Sequence, residues 1–467
     1  MSKLAAYRAA FPACFVLLAS WAIPQSAPEE PRFIRYNEAL PVLQSSKVSV
    51  PAELRSGGLN AETWTQWVET SDRAVRQRLE KGEEDTLTNL LRFGVTFTKE
   101  YRIDNAYLAR YGKSDLVNSF ANHRADDLVR ALAAPGSNQG IHHMRLFLEK
   151  KGFTFATPDA RAQVKAYLLA NLARMRDEFI SYSDKLKSAT VEEASELYAD
   201  RGISLDTNLW PDFALHQQFQ DMRDKGLLSA GAVRRVAIIG PGLDFANKES
   251  GSDFYPPQTT QPFAVIDSLA QLGLADPENL VLYTFDISPG VNVHLAHARR
   301  SAQAGQPYTV QLTWDQSVPR SAAYLSQFQP YWSALGTKIA TPTPPRNVPA
   351  PLTSSLKTRA IKIHPKVVAK VTPLDMNIVY QRVTMAPEAK FDLVIGTNVF
   401  VYYGAFEQSL ARANLAAMVK PGGFVLSNDL LADVIPSGLS EVLRRETQLS
   451  IQPVIVERMF CYRRDPE

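Results

Sequence analysis

The chain reads as an all-helical domain followed by an α/β domain whose sheet is mostly parallel and ends in an antiparallel pair. Three observations predict this. Apolar residues recur at helical spacing up to about residue 225. After Gly231, short wholly apolar runs alternate with amphipathic ones, the pattern of strands joined by crossover helices. The tail instead alternates apolar and polar residues in two runs close together, as a hairpin does.

At 467 residues the chain exceeds one compact core, and the change of pattern sets the expected division: helical over 61–228, α/β over 229–467. A hydrophobic share of 45% and a charged share of 21% are ordinary for a folded soluble protein. The net charge of +3, from 51 basic and 48 acidic residues, lacks the excess of a nucleic-acid binder. Small molecules or proteins are the expected partners, and the sequence leaves the oligomeric state open.

At the N-terminus, Lys3 and Arg8 flank an apolar run over residues 9–23, followed by Ser20 and Ala22 at small-residue spacing and then Glu29 and Glu30. This is the layout of a secretory signal or apolar leader over residues 1–27. The run falls short of the ~20 apolar residues a membrane span needs, and Pro12 interrupts it. Export, to a periplasm or beyond, is the expectation, with membrane contact only through the leader; if it is not a signal, the chain stays in the cytoplasm. Cleavage after Ala22 or Ala27 removes Cys14 and leaves Cys461 alone, so the mature chain has no internal disulfide.

Residues 28–60 are weakly periodic and read as an extended lead-in. Trp64, Trp67, Val68, Val75 and Leu79 then share one helical face, as do Val164, Leu168, Leu172, Met175 and Phe179. His142 and His143 lack an acid or cysteine at metal-ligand spacing, and no metal is expected.

In the second half, strands are expected over 236–239, 280–285, 391–395 and 424–426, and helices over 262–272, 289–304 and 406–418. The closing pair is placed at 448–456 and 458–463. Prolines over residues 341–351 exclude a helix or central strand and mark a surface insertion over 305–370. Its Trp314, Tyr324, Phe328, Tyr331 and Trp332 either line a pocket or form a private core.

Chemistry concentrates at expected strand ends. The first strand runs into Gly240-Pro241-Gly242-Leu243-Asp244, a turn that lets backbone approach a ligand where a Cβ would intrude. The second ends in Phe285-Asp286, where an acid accepts both hydroxyls of a ribose or caps the next helix. Phe391-Asp392-Leu393-Val394-Ile395 delivers Asn398 to the same edge, with Tyr402 and Tyr403 behind it, and Lys420-Pro421-Gly422-Gly423 turns a helix into another strand.

In these motifs the chain from about Arg234 onward resembles the class I S-adenosylmethionine (SAM)-dependent methyltransferases. Within them it is most similar to the chemotaxis-receptor glutamate methyltransferase group. The resemblance implies a Rossmann-like methyltransferase sheet and SAM as cofactor. It further implies Gly240 and Gly242 under the methionine and ribose, Asp286 on the ribose hydroxyls, and Asp375 or Asn377 at the adenine. Asn398 would face the sulfonium or the nucleophile, with Tyr402 as a wall of the catalytic site.

Two departures stand out. Ile238 occupies the place of the usual acid before the turn, which nominates Asp244 for the methionine ammonium. Residues 245–261, carrying Lys248, Asp253, Tyr255 and Gln258, separate the turn from its helix and read as a lid or a surface excursion. His294 and His297 read as surface histidines, and Cys461 as a packed strand residue.

Methyl transfer from a sulfonium mainly requires positioning and desolvation of the nucleophile, so no metal is needed and the acceptor, small molecule or protein, stays hidden in the sequence. A dehydrogenase-like nucleotide binder would share the glycine turn and Asp286 without needing the Asn398 strand. An exported, non-catalytic SAM- or nucleoside-binding protein is the other reading, suggested by the leader and the altered turn.

Overall fold

The computed structural model describes residues 30–110, 120–186, 201–244, 253–431, 435, 437–451 and 454–466. The expected leader, and residues 245–252 of the expected lid with Lys248, lie outside them. Residues 30–60 differ from the extended lead-in expected over 28–60. Strand β1 (Arg32–Phe33) is followed by helices α1 (Tyr36–Leu43) and α2 (Ala52–Ser56). Tertiary packing decides this: Ala39, Val42 and Leu43 are buried on one side of α1, and Trp64 Nε1 donates to the Ile34 carbonyl at 2.8 Å.

Helix α3 (Ala61–Phe93) is N-capped by Asn60, whose side chain accepts from the Glu62 and Thr63 N–H groups. At 33 residues it is ~50 Å long and serves two cores. Trp64, Val68 and Val75 pack toward the sheet, whereas Leu87, Leu90 and Leu91 join a cluster without strand residues. That cluster is built with α4 (Asn105–Arg110), α5 (Phe120–Ala133), α6 (Gln139–Lys150) and α7 (Pro158–Leu186). Helix α8 (Leu209–Asp224) then leads into the sheet.

The elements that follow are β2 (Arg235–Ile239), α9 (Gln261–Gln271), β3 (Val281–Asp286), α10 (Pro289–Gln303), β4 (Tyr308–Asp315), α11 (Ala322–Ala334), β5 (Ala340–Thr343), β6 (Leu356–Ile363), α12 (Pro365–Val368), β7 (Val371–Asp375), β8 (Gln381–Arg382), β9 (Phe391–Gly396), α13 (Ala405–Met418), β10 (Val419–Ser427), β11 (Leu439–Ile451) and β12 (Val454–Arg464). The main sheet has seven strands in the order β11-β12-β10-β9-β2-β3-β7. Strands β7, β3, β2, β9 and β10 are mutually parallel, and β12 runs antiparallel to both β10 and β11. This is the α/β, Rossmann-like methyltransferase sheet the sequence predicts, preceded by helices. Its central strands are buried on both faces: Val236 and Ile238 face one core, Ala237 and Ile239 the other.

Two placements change. The hairpin begins earlier than expected, at Leu439, because the outer strand β11 carries Glu441, Arg444, Arg445 and Glu446, which hide an edge strand from a hydrophobic reading. The insertion is a three-stranded antiparallel sheet, order β4-β6-β5, with the proline-bearing β5 on its edge. Its aromatic residues are core: Tyr324, Phe328 and Tyr331 pack around Phe213 of α8, and Trp314 stacks edge-on against Phe328.

Buried in the same layer, Asp212 of α8 makes no hydrogen bond of good geometry, the amide of Gln261 approaching only loosely. Burial pushes its carboxyl up to about 7. A carboxyl raised in the folded state stabilises below the unfolded value near 4, and that contribution is lost as pH rises through about 7. Asp212→Asn is therefore expected to match the parent at pH 4 and to be more stable by ~1–3 kcal/mol at pH 8. Denaturant midpoints at the two pH values measure this; equal midpoints at pH 8 would contradict it.

Candidate active site

Strands β2, β3, β7 and β9 end at one edge of the sheet, and the turns leaving them surround a cavity of about 70 Å³. Gly240, Gly242, Asp286, Asn377, Asn398 and Tyr402 all line it, so the structure brings six of the sequence-predicted site residues together. Asp244 and Asp375 are not among its walls.

The glycine turn depends on its glycines. Both lie at positive φ, 62° for Gly240 and 68° for Gly242. A Cβ at Gly240 would stand 2.8 Å from Val399 Cγ2, and one at Gly242 would stand 2.7 Å from the Leu205 carbonyl oxygen. The turn is thus closed over by the chain's own segment 201–207, where the Leu243 N–H donates to the Leu205 carbonyl at 2.7 Å.

Asp286 is buried, 7% exposed, and its carboxylate accepts from the backbone N–H groups of Ser288 and Gly242. Burial raises it to about 7, opposed by those N–H groups, while Asp375 repels and Arg76 attracts the charge. It does not cap helix α10, because the Ser288 hydroxyl does so by accepting from the Val291 N–H at 3.4 Å. The acid at the end of β3 lines the cavity, and no cation among the described residues bonds it.

Asp375 lies beside Asp286 in register but turns outward, half exposed, onto Arg76 at 2.7 Å. Asn377 is buried at the cavity wall with its amide committed. It donates to Asp72 of α3 at 2.8 Å and accepts from the Val379 N–H at 3.1 Å. The adenine role implied for Asp375 or Asn377 thus meets side chains already engaged. At that wall the free surface comes from their neighbours Met376 and Ile378.

Asp244 also departs from expectation. Its carboxylate accepts from Tyr255 Oη at 2.8 Å and Gln258 Nε2 at 3.0 Å, and it borders a separate small cavity with Trp210, Trp314 and Asp315. The isolated pairing of Asp244 with Gln258 turns its side chain away from the glycine edge. Burial raises it to about 7. From the expected lid, Asp253 accepts from the Val95 and Thr96 N–H groups and the Thr96 hydroxyl, tying this loop to the helical cluster.

At the mouth, Asn398 has φ 57°, the one non-glycine residue at positive φ among the described residues. It is exposed, and exchanges two hydrogen bonds of 2.7 Å with the Asn428 side chain, which reaches on to Glu457 at 3.2 Å. The Asp429 carboxylate accepts from the Phe400 and Val401 N–H groups, fixing the turn that carries Tyr402. Tyr402 accepts from the Ser204 N–H at 3.4 Å, and its ring lies under the Arg78 guanidinium. Cys461 is buried against Met222, its thiol pushed up to about 12, which suits packing and not attack.

Sequence reading missed the walls supplied by the helical half: Leu79 of α3, and Ile203, Ser204 and Leu205. The only trace of them is a pair of glycines far apart in sequence, Gly82 and Gly202. They let α3 and the segment touch backbone to backbone: a Cβ on Gly82 would lie 1.8 Å from the Ile203 carbonyl oxygen. No group of histidine, cysteine or carboxylate side chains suited to a metal occurs among the described residues.

No family model matches the chain, and no curated protein matches it. Among solved structures it is similar to the N-methyltransferase NodS from Bradyrhizobium japonicum, at 13% identity over 54% of this chain and 97% of that one, TM-score 0.26. It is likewise similar to the magnesium protoporphyrin IX methyltransferase ChlM from Synechocystis with bound SAM, at 15% identity over 62% and 97%, TM-score 0.24. TrmN from Thermus thermophilus matches at 13% identity over 54% and 52%, TM-score 0.25. By its own strand order, the chain is an α/β protein with a Rossmann-like, mostly parallel seven-stranded sheet closed by an antiparallel pair.

Proposed function

We propose that this chain is a SAM-dependent methyltransferase that binds SAM in the cavity at the carboxyl edge of β2, β3, β7 and β9. The observation that carries the proposal is the buried Asp286, ringed by the glycine turn and unopposed by any bonded cation. A buried carboxyl held only by backbone N–H groups fits a ribose diol, whose hydroxyls satisfy the remaining lone pairs. When bound, SAM supplies a methyl group already activated on a sulfonium. The chain's own residues do the rest. Leu79, Ile203, Leu205, Ile239 and Ile378 wall the cavity against water, and Gly240 and Gly242 keep the turn free of side chains. Asn398 and Tyr402, on turns fixed by Asn428 and Asp429, stand where an acceptor enters and orient it.

The finer likeness to the chemotaxis-receptor group rests on the Asn398–Tyr403 and Lys420–Gly423 motifs. The acceptor class, small molecule or protein, is open to direct assay. Export through the leader remains part of the proposal, with the substrate met wherever the chain is delivered. Incubating the full chain with methyl-labelled SAM and fractionated extract should move label into one fraction. Asn398→Ala should slow that transfer at least ten-fold with SAM affinity kept, the loss expected for a positioning contact. Absence of label in every fraction, with SAM bound, would favour a binding role instead.

A further inference from the structure

A second cleft, away from the edge cavity, opens between helix α10, the start of β4 and the first turn of α6. It encloses about 410 Å³. Its walls carry hydrogen-bond donors: Arg346, His294, His297, Gln139, Gln306 and Ser301 all line it, and among the described residues no aspartate or glutamate does. The floor is apolar, made by Pro256, Pro257 and Ala298.

Three features point to a negatively charged ligand. Arg346 is exposed, its backbone N–H donates to Gln311 Oε1 at 3.1 Å, and its guanidinium has no partner among the described residues. His294 stands 2.8 Å from the Tyr308 hydroxyl, which itself accepts from the Thr259 N–H. The hydroxyl is then placed to donate to His294 Nε2, which leaves the Nδ1–H of the neutral ring free as a donor. Burial pushes that ring down to about 4, and the neighbouring His297 and His143 act in the same direction. Finally, Gln139 on the rim is the first residue of the twelve-residue helix α6, near that helix's positive end.

We propose that this cleft is a binding site for the carboxylate or phosphate group of a small anionic molecule, with the Arg346 guanidinium as its charged contact and His297 as a ring N–H donor. The site joins the helical cluster, through Gln139, to the loop that ties Gln258 to Asp244. The proposal stands apart from methyl transfer, because no residue named here lines the edge cavity.

Calorimetric titration of the full chain with inorganic phosphate, and separately with succinate, tests it and distinguishes the two anion classes. Saturable binding of at least one is expected. Arg346→Gln should weaken it about ten-fold, the loss of one charge-assisted bidentate contact, and the double variant with His297→Gln more. Arg300→Gln changes an exposed arginine of the same helix outside the cleft, and should leave affinity unchanged. No saturable binding of either anion, or equal weakening by Arg300→Gln and Arg346→Gln, would overturn the proposal.

Discussion

Replacing Asp286 by alanine is expected to weaken SAM binding by ten-fold or more, with the fold retained. The carboxylate is buried at the cavity wall and accepts only from Ser288 and Gly242. A charged acceptor meeting ribose hydroxyls contributes ~1.5–3 kcal/mol, which sets that factor. Because burial holds the group near 7, the parent should bind more tightly as pH rises from about 6 to about 8 and the carboxyl ionises. Asp286→Asn should lose affinity and also flatten that profile. If the alanine variant keeps the parental affinity, or the asparagine variant the parental pH profile, Asp286 serves only the turn.

Substituting Gly82 by alanine should act just as strongly at a distance from the cofactor. Helix propensity alone predicts the reverse, since alanine stabilises a helix interior over glycine by ~1 kcal/mol. Packing decides otherwise: the added Cβ would overlap the Ile203 carbonyl oxygen at 1.8 Å and its carbon at 2.7 Å, both backbone atoms that cannot swing aside. Segment 201–207 would have to lift, taking Ile203, Ser204 and Leu205 from the cavity and freeing the Leu243 N–H. The expected result is a SAM affinity reduced at least ten-fold, with far-ultraviolet circular dichroism unchanged, consistent with loss of a few buried contacts. A more stable variant with unaltered affinity would show that the segment is not part of the site.

These two residues also show what was legible in the sequence. Gly240, Gly242 and Asp286 follow short apolar strands buried on both faces, so their place at the sheet edge follows from local pattern alone. Asn398 was legible for the same reason, at the end of the wholly buried β9. Asp244 was not. Its direction depends on the return of the chain at Gln258 and Tyr255, a pairing no spacing rule contains. Asp375 and Asn377 were implied at the adenine by the resemblance, but Arg76 and Asp72 of the distant helix α3 engage them. The walls at Leu79 and 203–205 come from contacts more than a hundred residues apart in the chain, where the two glycines Gly82 and Gly202 are the only local sign. The outer strand β11 was masked by its charges, and α1 forms where its apolar face is buried, although its own sequence contains Pro41.

Calorimetric titration of the chain with SAM tests whether the edge cavity holds the cofactor. One saturable site per chain is expected, weakened by Asp286→Ala and by Gly82→Ala alike. An isotherm with no saturable heat for SAM or for S-adenosylhomocysteine across the solubility range, from protein whose circular dichroism confirms the folded state, would contradict it.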